Sequence, residues 1–136
     1  MIIKTIDFGG KIPSRAHYND AGADVYTQTD VSIEPHTTIP VPLGFGLELP
    51  DGYAAFVFPR SGMCKKGIIC ELPPIDSGYR GEIHAIISNL SDKAITIEKG
   101  VRVGQLVIMP VIIPDFSRFC GFAERGSGAF GSTGEK

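Results

Sequence analysis

The stretch PPIDSGYRGE, residues 73–82, precedes an alternating apolar run over residues 83–87. Its Ser-Gly pair directly after Asp76 is turn chemistry and predicts a β-hairpin with Asp76 at the tip. The bend would hold a carboxylate, the ring of Tyr79 and the guanidinium of Arg80 close together. Taken alone, such a stretch is more commonly an ordinary surface turn, so its meaning depends on the rest of the chain.

Antiparallel pairing makes a definite prediction for the strands that flank this turn. With the turn centred near Ser77, Cys70 pairs with His84 and Ile75 lies beside the tip. Strand edges near Cys70 and His84 could then present backbone N–H and C=O groups to a planar ligand, as in base pairing. A lone histidine is more often a surface residue than a catalyst, so His84 is assigned no proton transfer.

Composition bounds the class of protein. The chain has 136 residues, of which 43% are hydrophobic and 21% charged, as expected for one globular domain with a real core. A net charge of −2 gives no general footprint for nucleic acid, so an anionic ligand needs a local cluster of arginines and amides. No run has the length of a signal-peptide core or a membrane span, which predicts a soluble intracellular protein, cytoplasmic or otherwise. Three cysteines without a CxxC pair indicate reduced structural thiols.

Short apolar runs separated by Pro or Gly predict an all-β protein. Ten prolines and seventeen glycines leave little room for helices, and many short strands favour a jelly-roll-like sandwich or barrel over a doubly wound α/β sheet. Only residues 61–66 could form a helical turn, with Ser61 as its cap. The apolar runs lie at residues 2–8, 31–33, 38–49, 54–58, 83–88, 94–97 and 105–113.

Two groups of polar residues could serve phosphates. Arg60, Ser61 and Gly62 offer a guanidinium, a hydroxyl and an amide at the start of the predicted helical turn, where anions are favoured. They could equally form a capped turn with a salt-bridged arginine. Arg102 and Gln105 flank a glycine at the start of an apolar run, and could also be no more than solvated residues where a strand begins.

Asp24 follows Gly22 and points from a short predicted strand. Its carboxylate could reach a magnesium ion through water or form a structural ion pair. The residues alone do not choose between these two interpretations.

The end of the sequence, RGSGAFGSTGEK, predicts a mobile Gly-rich C-terminal arm over residues 125–136, after a β domain over residues 1–124. Composition alone is typical of a flexible end. Its G-x-G-x-x-G is no dinucleotide fingerprint, because that motif must open a helix and only five residues follow. The arm could instead close over a ligand, with amides on phosphates, Arg125 adding charge and Phe130 stacking on a flat ring.

Five stretches, in this order and at these separations, resemble the motif set of the trimeric deoxyuridine triphosphatases, the dUTPases. They are AGADV (21–25), PRSGM (59–63), PPIDSGYRGE (73–82), RVGQL (102–106) and RGSGAFGSTG (125–134). The resemblance implies a jelly-roll subunit and a homotrimer with shared active sites, each closed by the arm. The implied reaction is dUTP plus water giving dUMP and pyrophosphate, with Mg²⁺ on the triphosphate.

The resemblance also implies roles for single residues. Asp76 would activate the attacking water and bind the 3′-hydroxyl, while Tyr79 would pack under the deoxyribose, where a 2′-hydroxyl would clash. Asp24 would touch the magnesium shell through water only, and Gln105, which is counted with Asp76 as catalytic, would hold the phosphates. The substrate-binding set, with the hairpin candidates included, is Arg60, Ser61, Gly62, Cys70, Ile75, Asp76, Tyr79, His84, Arg125, Phe130, Gly131 and Ser132.

The chain departs from the family pattern around the base. Pro73 stands where a glycine is common, and proline removes an amide donor. Cys70 takes the position of an asparagine used by some members, and Ala129 replaces a frequent glycine in the arm. How the base is recognised is therefore left open.

Two alternatives stay open beside dUTP hydrolysis. A dCTP deaminase shares the fold, but needs a proton shuttle, usually a glutamate, which the resemblance does not place. A non-catalytic nucleotide-binding jelly-roll protein is the other, and the presence of both Asp76 and the arm argues against it.

Overall fold

The computed structural model describes residues 1–121, which form ten strands and one short helix. The elements are β1 (Lys4–Asp7), β2 (Ala23–Tyr26), β3 (Val31–Ile33), β4 (Thr38–Pro42), β5 (Phe45–Glu48), β6 (Tyr53–Phe58), α1 (Ser61–Cys64), β7 (Ile68–Glu71), β8 (His84–Asn89), β9 (Ile95–Ile97) and β10 (Arg102–Pro110). The all-β prediction is confirmed. Within these residues, no helix is long and apolar enough to cross a membrane.

All strand pairs are antiparallel and form four small sheets. β10 is the middle strand of β2-β10-β6, and β8 is the middle strand of β4-β8-β7; β1 pairs with β5, and β3 with β9. In β3, Val31 and Ile33 are buried while Ser32 is exposed, as the two-residue period of a strand requires. The buried apolar side chains form one cluster that includes Val25, Ile33, Leu43, Phe45, Ile87 and Val103.

The predicted run over residues 38–49 is two strands, because the chain turns between β4 and β5. Gly44 has a φ of +79°, which only glycine adopts freely. A Cβ atom there would also lie 2.4 Å from the Cα of Gly10. The predicted apolar runs did not include β2 or β7, although Asp24 was expected on a short strand and Cys70 on a strand of the hairpin.

The helical turn is shorter than predicted and is capped differently. α1 spans Ser61–Cys64, and its N-cap is Arg60, which has extended backbone angles and makes no side-chain capping bond. The prediction that Ser61 caps the turn is therefore wrong, since Ser61 already lies inside the helix.

Candidate active site

The segment between β7 and β8 is a loop, residues 72–83, and not a tight hairpin. Cys70 pairs with Ile87, and His84 pairs with Pro42 on the opposite side of β8. The predicted Cys70–His84 pair is therefore wrong by three residues. The β7–β8 ladder ends at Glu71, because the next residues leave β8 and cross to another strand.

Ile75 anchors the first half of this loop to β6. Its N–H donates to the carbonyl of Ala55 at 2.8 Å, and the Ala55 N–H donates back to the Ile75 carbonyl at 3.1 Å. The two backbone polar groups of Ile75 are thus occupied, and its half-buried side chain packs against the core. This bridge fixes the backbone immediately before Asp76.

Asp76 opens a β-turn that is held from several sides. The Tyr79 N–H donates to the Asp76 carbonyl at 3.1 Å, while the Arg80 guanidinium donates to the carbonyls of Ser77 and Tyr79. The Ser77 hydroxyl donates to a carboxylate oxygen of Asp51 at 3.2 Å. The Asp76 side chain itself is exposed, so the turn presents a carboxylate to solvent on a fixed backbone.

The second half of the loop is fixed through Glu82. The Tyr79 hydroxyl donates to the Glu82 carbonyl at 2.7 Å, and the Gly44 N–H donates to the Glu82 carboxylate at 2.9 Å. Nδ1 of His84 lies 3.2 Å from the same carbonyl, and its ring is exposed. No role for Glu82 could be predicted from the sequence, since its partner Gly44 lies 38 residues away in the chain.

Polar residues of the predicted phosphate motifs meet at one end of the β2-β10-β6 sheet. Gln105 pairs with Asp24 on one side and with Phe58 on the other, and its side-chain amide donates to the Pro59 carbonyl at 3.4 Å. A Cβ atom at Gly22 would lie 2.6 Å from Oε1 of Gln105. The small residue at position 22 therefore leaves the space that the glutamine side chain occupies.

A β-bulge in β10 brings a second polar residue to the same face. Arg102 pairs with Tyr26, and Gly104 pairs with Val25, so Val103 is an extra residue against β2. In a regular ladder, Arg102 and Gln105 would point to opposite faces, because they are three residues apart. With the bulge, Nη1 of Arg102 reaches Oδ2 of Asp24 at 3.3 Å.

The start of α1 follows this sheet end directly along the chain. Arg60 is half-buried, and Ser61 and Gly62 are exposed. A Cβ atom at Gly62 would meet nothing within 4 Å, so no neighbouring atom crowds the backbone on that side. The structure thus brings Asp24, Gln105 and the beginning of α1 to one place.

Cys70 differs in character from the other candidates because it is buried in β7, with 7% of its surface exposed. Burial, followed by the nearby Cys64 and Glu71, raises the pKa of the Cys70 thiol to about 11. A neutral thiol at this position can fill space but is no nucleophile near neutral pH.

Four predicted site residues, Arg125, Phe130, Gly131 and Ser132, lie outside the described residues, as does the whole of the predicted arm, residues 125–136. Among residues 1–121, no three His, Cys, Asp or Glu side chains come together as a metal site. For Asp24, the prediction is a contact with the magnesium shell through water, which needs no such cluster.

Comparison with known proteins agrees with this geometry. The family model for dUTPase matches residues 9–134. The deoxyuridine 5′-triphosphate nucleotidohydrolase of Clostridium tetani is 38% identical, covering 98% of this chain and 95% of the relative. That of a Hydrogenobaculum species is 39% identical, covering 100% and 99%.

Solved structures agree as well. The Staphylococcus bacteriophage 80alpha dUTPase with dUpNHpp superposes with a TM-score of 0.86 at 27% identity, covering 98% of each chain. A dUTPase from phage phi11 of S. aureus, described with a structural Mg(II) ion, superposes with a TM-score of 0.84 at 22% identity, covering 90% of this chain and 99% of the phage chain. The predicted jelly-roll fold is confirmed, and by these matches the chain belongs to the dUTPase family.

Proposed function

We propose that this protein is a dUTP diphosphatase, which hydrolyses dUTP to dUMP and pyrophosphate. The observation that carries the proposal is the exposed Asp76 carboxylate on a turn fixed by the Ile75–Ala55 bridge. A positioned carboxylate beside an aromatic ring suits the activation of water next to a nucleoside. The family relationship supplies the substrate.

Asp76 accepts a proton from the water that attacks the α-phosphorus, and it also binds the 3′-hydroxyl. Phosphoryl transfer depends mainly on positioning and on neutralising charge, so the remaining residues act by holding the triphosphate. Arg60, the Ser61 hydroxyl, the Gly62 amide and the Gln105 amide take that role. Tyr79 packs under the deoxyribose and leaves no room for a 2′-hydroxyl.

The residues present fit a magnesium ion that the substrate carries. One carboxylate, Asp24, has Oδ2 on Arg102, which leaves its other oxygen for a water of the magnesium shell. A small oxygen-ligated ion that keeps several waters needs no more from the protein. When bound, Mg²⁺ neutralises charge on the triphosphate.

The uracil edge lies near the end of the β7–β8 ladder. On that side of β8, His84 stands beyond the last pair, Glu71 with Ile86, and we place the planar partner there. Pro73 and Pro74 offer no amide donors. Ile75 then bounds the base through its side chain, because its backbone is occupied by Ala55, whereas the buried Cys70 fills the space behind this part of β7.

Residues 125–136 complete the site as a closing arm on the domain of residues 1–124. Phe130 stacks on uracil, while Arg125, Ser132 and the Gly131 amide hold the γ-phosphate. Closure would exclude water other than the reacting molecule.

The active unit is a homotrimer with shared sites. Within one chain, the two site clusters flank opposite edges of β6, because β10 pairs with one edge and Ile75 with the other. A site that needs both clusters is more readily completed by a second subunit. Exposed apolar side chains beyond β10, Ile112, Ile113, Phe116 and Phe119, would be covered in such an assembly.

Separate incubations with dUTP, dCTP, dTTP and UTP test the function. Pyrophosphate release from dUTP, well above that from the other three, is the expected result. Ammonia release from dCTP would mean a deaminase instead, and binding of dUTP without any product would mean a non-catalytic nucleotide-binding protein.

A further inference from the structure

The Tyr79 ring lies directly against the backbone of Gly81. A Cβ atom at position 81 would lie 2.5 Å from the tyrosine hydroxyl, 2.7 Å from Cζ and 3.0 Å from Cε1. These distances are well inside van der Waals contact, so the ring can occupy this place only because residue 81 has no side chain. The hydroxyl is tied in the same place by its hydrogen bond to the Glu82 carbonyl.

The backbone at Gly81 is also held close to β5, where a second glycine packs against it. A Cβ atom at Gly46 in β5 would lie 2.7 Å from the Gly81 carbonyl oxygen, so strand and loop are in close contact there. Just beyond, Ile83 is bonded on both sides, with its N–H donating to the Phe45 carbonyl at 2.9 Å and its carbonyl accepting from Leu43 at 3.0 Å. These contacts with β5 and with Leu43 fix the backbone near position 81, and the Tyr79 ring packs against that backbone.

We propose that Gly81 is a positioning residue for sugar specificity, acting through Tyr79. It sets where the ring stands, and thereby whether a ribose 2′-hydroxyl fits above it. This inference rests on the proposed function, in which Tyr79 faces the deoxyribose. Discrimination by fit depends on displacements below about 1 Å, and a methyl group at position 81 moves the ring by that order.

The test variant is Gly81→Ala, and the structure suggests that it folds. Gly81 is not among the glycines with positive φ, so alanine is compatible with its backbone. Tyr79 is 46% exposed, so its ring can give way. Gly78→Ala is the matched control, because it lies in the same loop, also lacks a positive φ, and its Cβ would meet nothing within 4 Å.

The measured quantity is the ratio of kcat/KM for dUTP to that for UTP. We expect Gly81→Ala to lower this ratio at least about tenfold and Gly78→Ala to leave it within about twofold. In a Tyr79→Ala background, adding Gly81→Ala should change the ratio no further, because the ring through which position 81 acts is gone.

Each outcome separates this inference from the proposed function. If Tyr79→Ala lowers the ratio but Gly81→Ala does not, the inference is overturned and the function stands. If Tyr79→Ala itself keeps the ratio, both the sugar role of Tyr79 and this inference fail, although dUTP hydrolysis can still hold. If the unaltered chain releases no pyrophosphate from dUTP, the proposed function fails first.

Thermal unfolding covers the case in which Gly81→Ala does not fold. The double variant Tyr79→Ala, Gly81→Ala lacks the clash. If that double variant folds, the ring is what position 81 accommodates, as proposed. If it also fails to fold, Gly81 serves the fold and the inference is wrong.

Discussion

Oδ2 of Asp24 lies 3.3 Å from Nη1 of Arg102, and the two side chains are 23% and 47% exposed. Of the two interpretations of Asp24, the ion pair is therefore formed in this structure. Because water screens it, such a pair contributes only about 0–1 kcal/mol to the free energy of unfolding. The pair lies at the end of β10 where we propose that the triphosphate is held, so we expect it to matter more for the site than for stability.

Asp24→Asn is expected to leave the free energy of unfolding within about 1 kcal/mol of the unaltered protein while raising the Mg²⁺ concentration needed for half-maximal activity. Urea unfolding and a magnesium titration measure the two effects. Arg102→Gln is the control, since it removes the same ion pair but keeps the carboxylate. Equal magnesium curves for the two variants would show that Asp24 acts only through the pair.

Asp76→Asn keeps the shape of the side chain but lowers its affinity for a proton. We expect kcat to fall on the order of 10²-fold or more, with nucleotide binding largely unchanged, because the phosphate ligands are untouched. Asp51→Asn removes a neighbouring carboxylate that only accepts a bond from Ser77, and it should cost far less. Turnover within about threefold of the unaltered enzyme for Asp76→Asn would remove this residue from the mechanism.

Mixed assemblies test whether sites are shared. Subunits with Asp76→Asn, mixed with subunits that lack residues 125–136, should regain activity, because some sites then draw an intact Asp76 and an intact arm from different chains. Steady-state dUTP hydrolysis before and after mixing is the measurement, with subunit exchange verified by mass spectrometry. Exchange without recovery would mean that each site uses one chain only.

Replacing Phe130 and replacing Arg125 with alanine should weaken nucleotide binding in different ways. Stacking on a base contributes about 1–3 kcal/mol in other nucleic-acid systems, so Phe130→Ala should weaken dUMP and dUpNHpp alike. Arg125→Ala should spare dUMP, because dUMP has no γ-phosphate. Calorimetric titration of both variants with both ligands decides the matter, and equal losses for Arg125→Ala would refute the γ-phosphate contact.

Burial of the Cys70 thiol should make the free energy of unfolding depend on pH in the alkaline range. In the folded state its pKa is raised to about 11, whereas the unfolded thiol titrates near 9.0. Between these values the unfolded chain loses the proton first, so the free energy of unfolding should fall as pH rises through that window. Unfolding measured from pH 8 to about 11 should show a smaller fall for Cys70→Ala.

Iodoacetamide should modify the exposed Cys64 and Cys120 well before Cys70.

Local sequence patterns were enough to predict many of the strands and turns. β3, at Val31–Ile33, was predicted as a short apolar run, and a turn around Asp76 follows from its Ser-Gly pair. Those signals lie within a few residues of each other. The grouping of Asp24 and Gln105 could also be anticipated, but only through the resemblance to dUTPases.

What failed was pairing between distant segments. The Cys70–His84 register assumed a tight turn, but Ile75 leaves that turn to pair with Ala55, and nothing local to either residue signals this. No sequence pattern predicts the contact of Glu82 with Gly44 or that of the Tyr79 ring with Gly81. A glycine in the sequence does not show which neighbouring atoms occupy the space that a side chain would fill. Only the three-dimensional structure shows this.

The bulge at Val103 has a consequence for protein engineering. Arg102 and Gln105 are three residues apart and share a face only because the bulge takes up one residue between them, so the number of residues in this part of β10 matters as much as their identity. A ladder that kept the same residues but lost the bulge would turn the arginine away from Asp24, and so would one inserted residue if the bulge stayed. Loop grafts, tags and circular permutation points therefore belong elsewhere in the chain, whereas exchange of Val103 for another small apolar residue keeps the count intact.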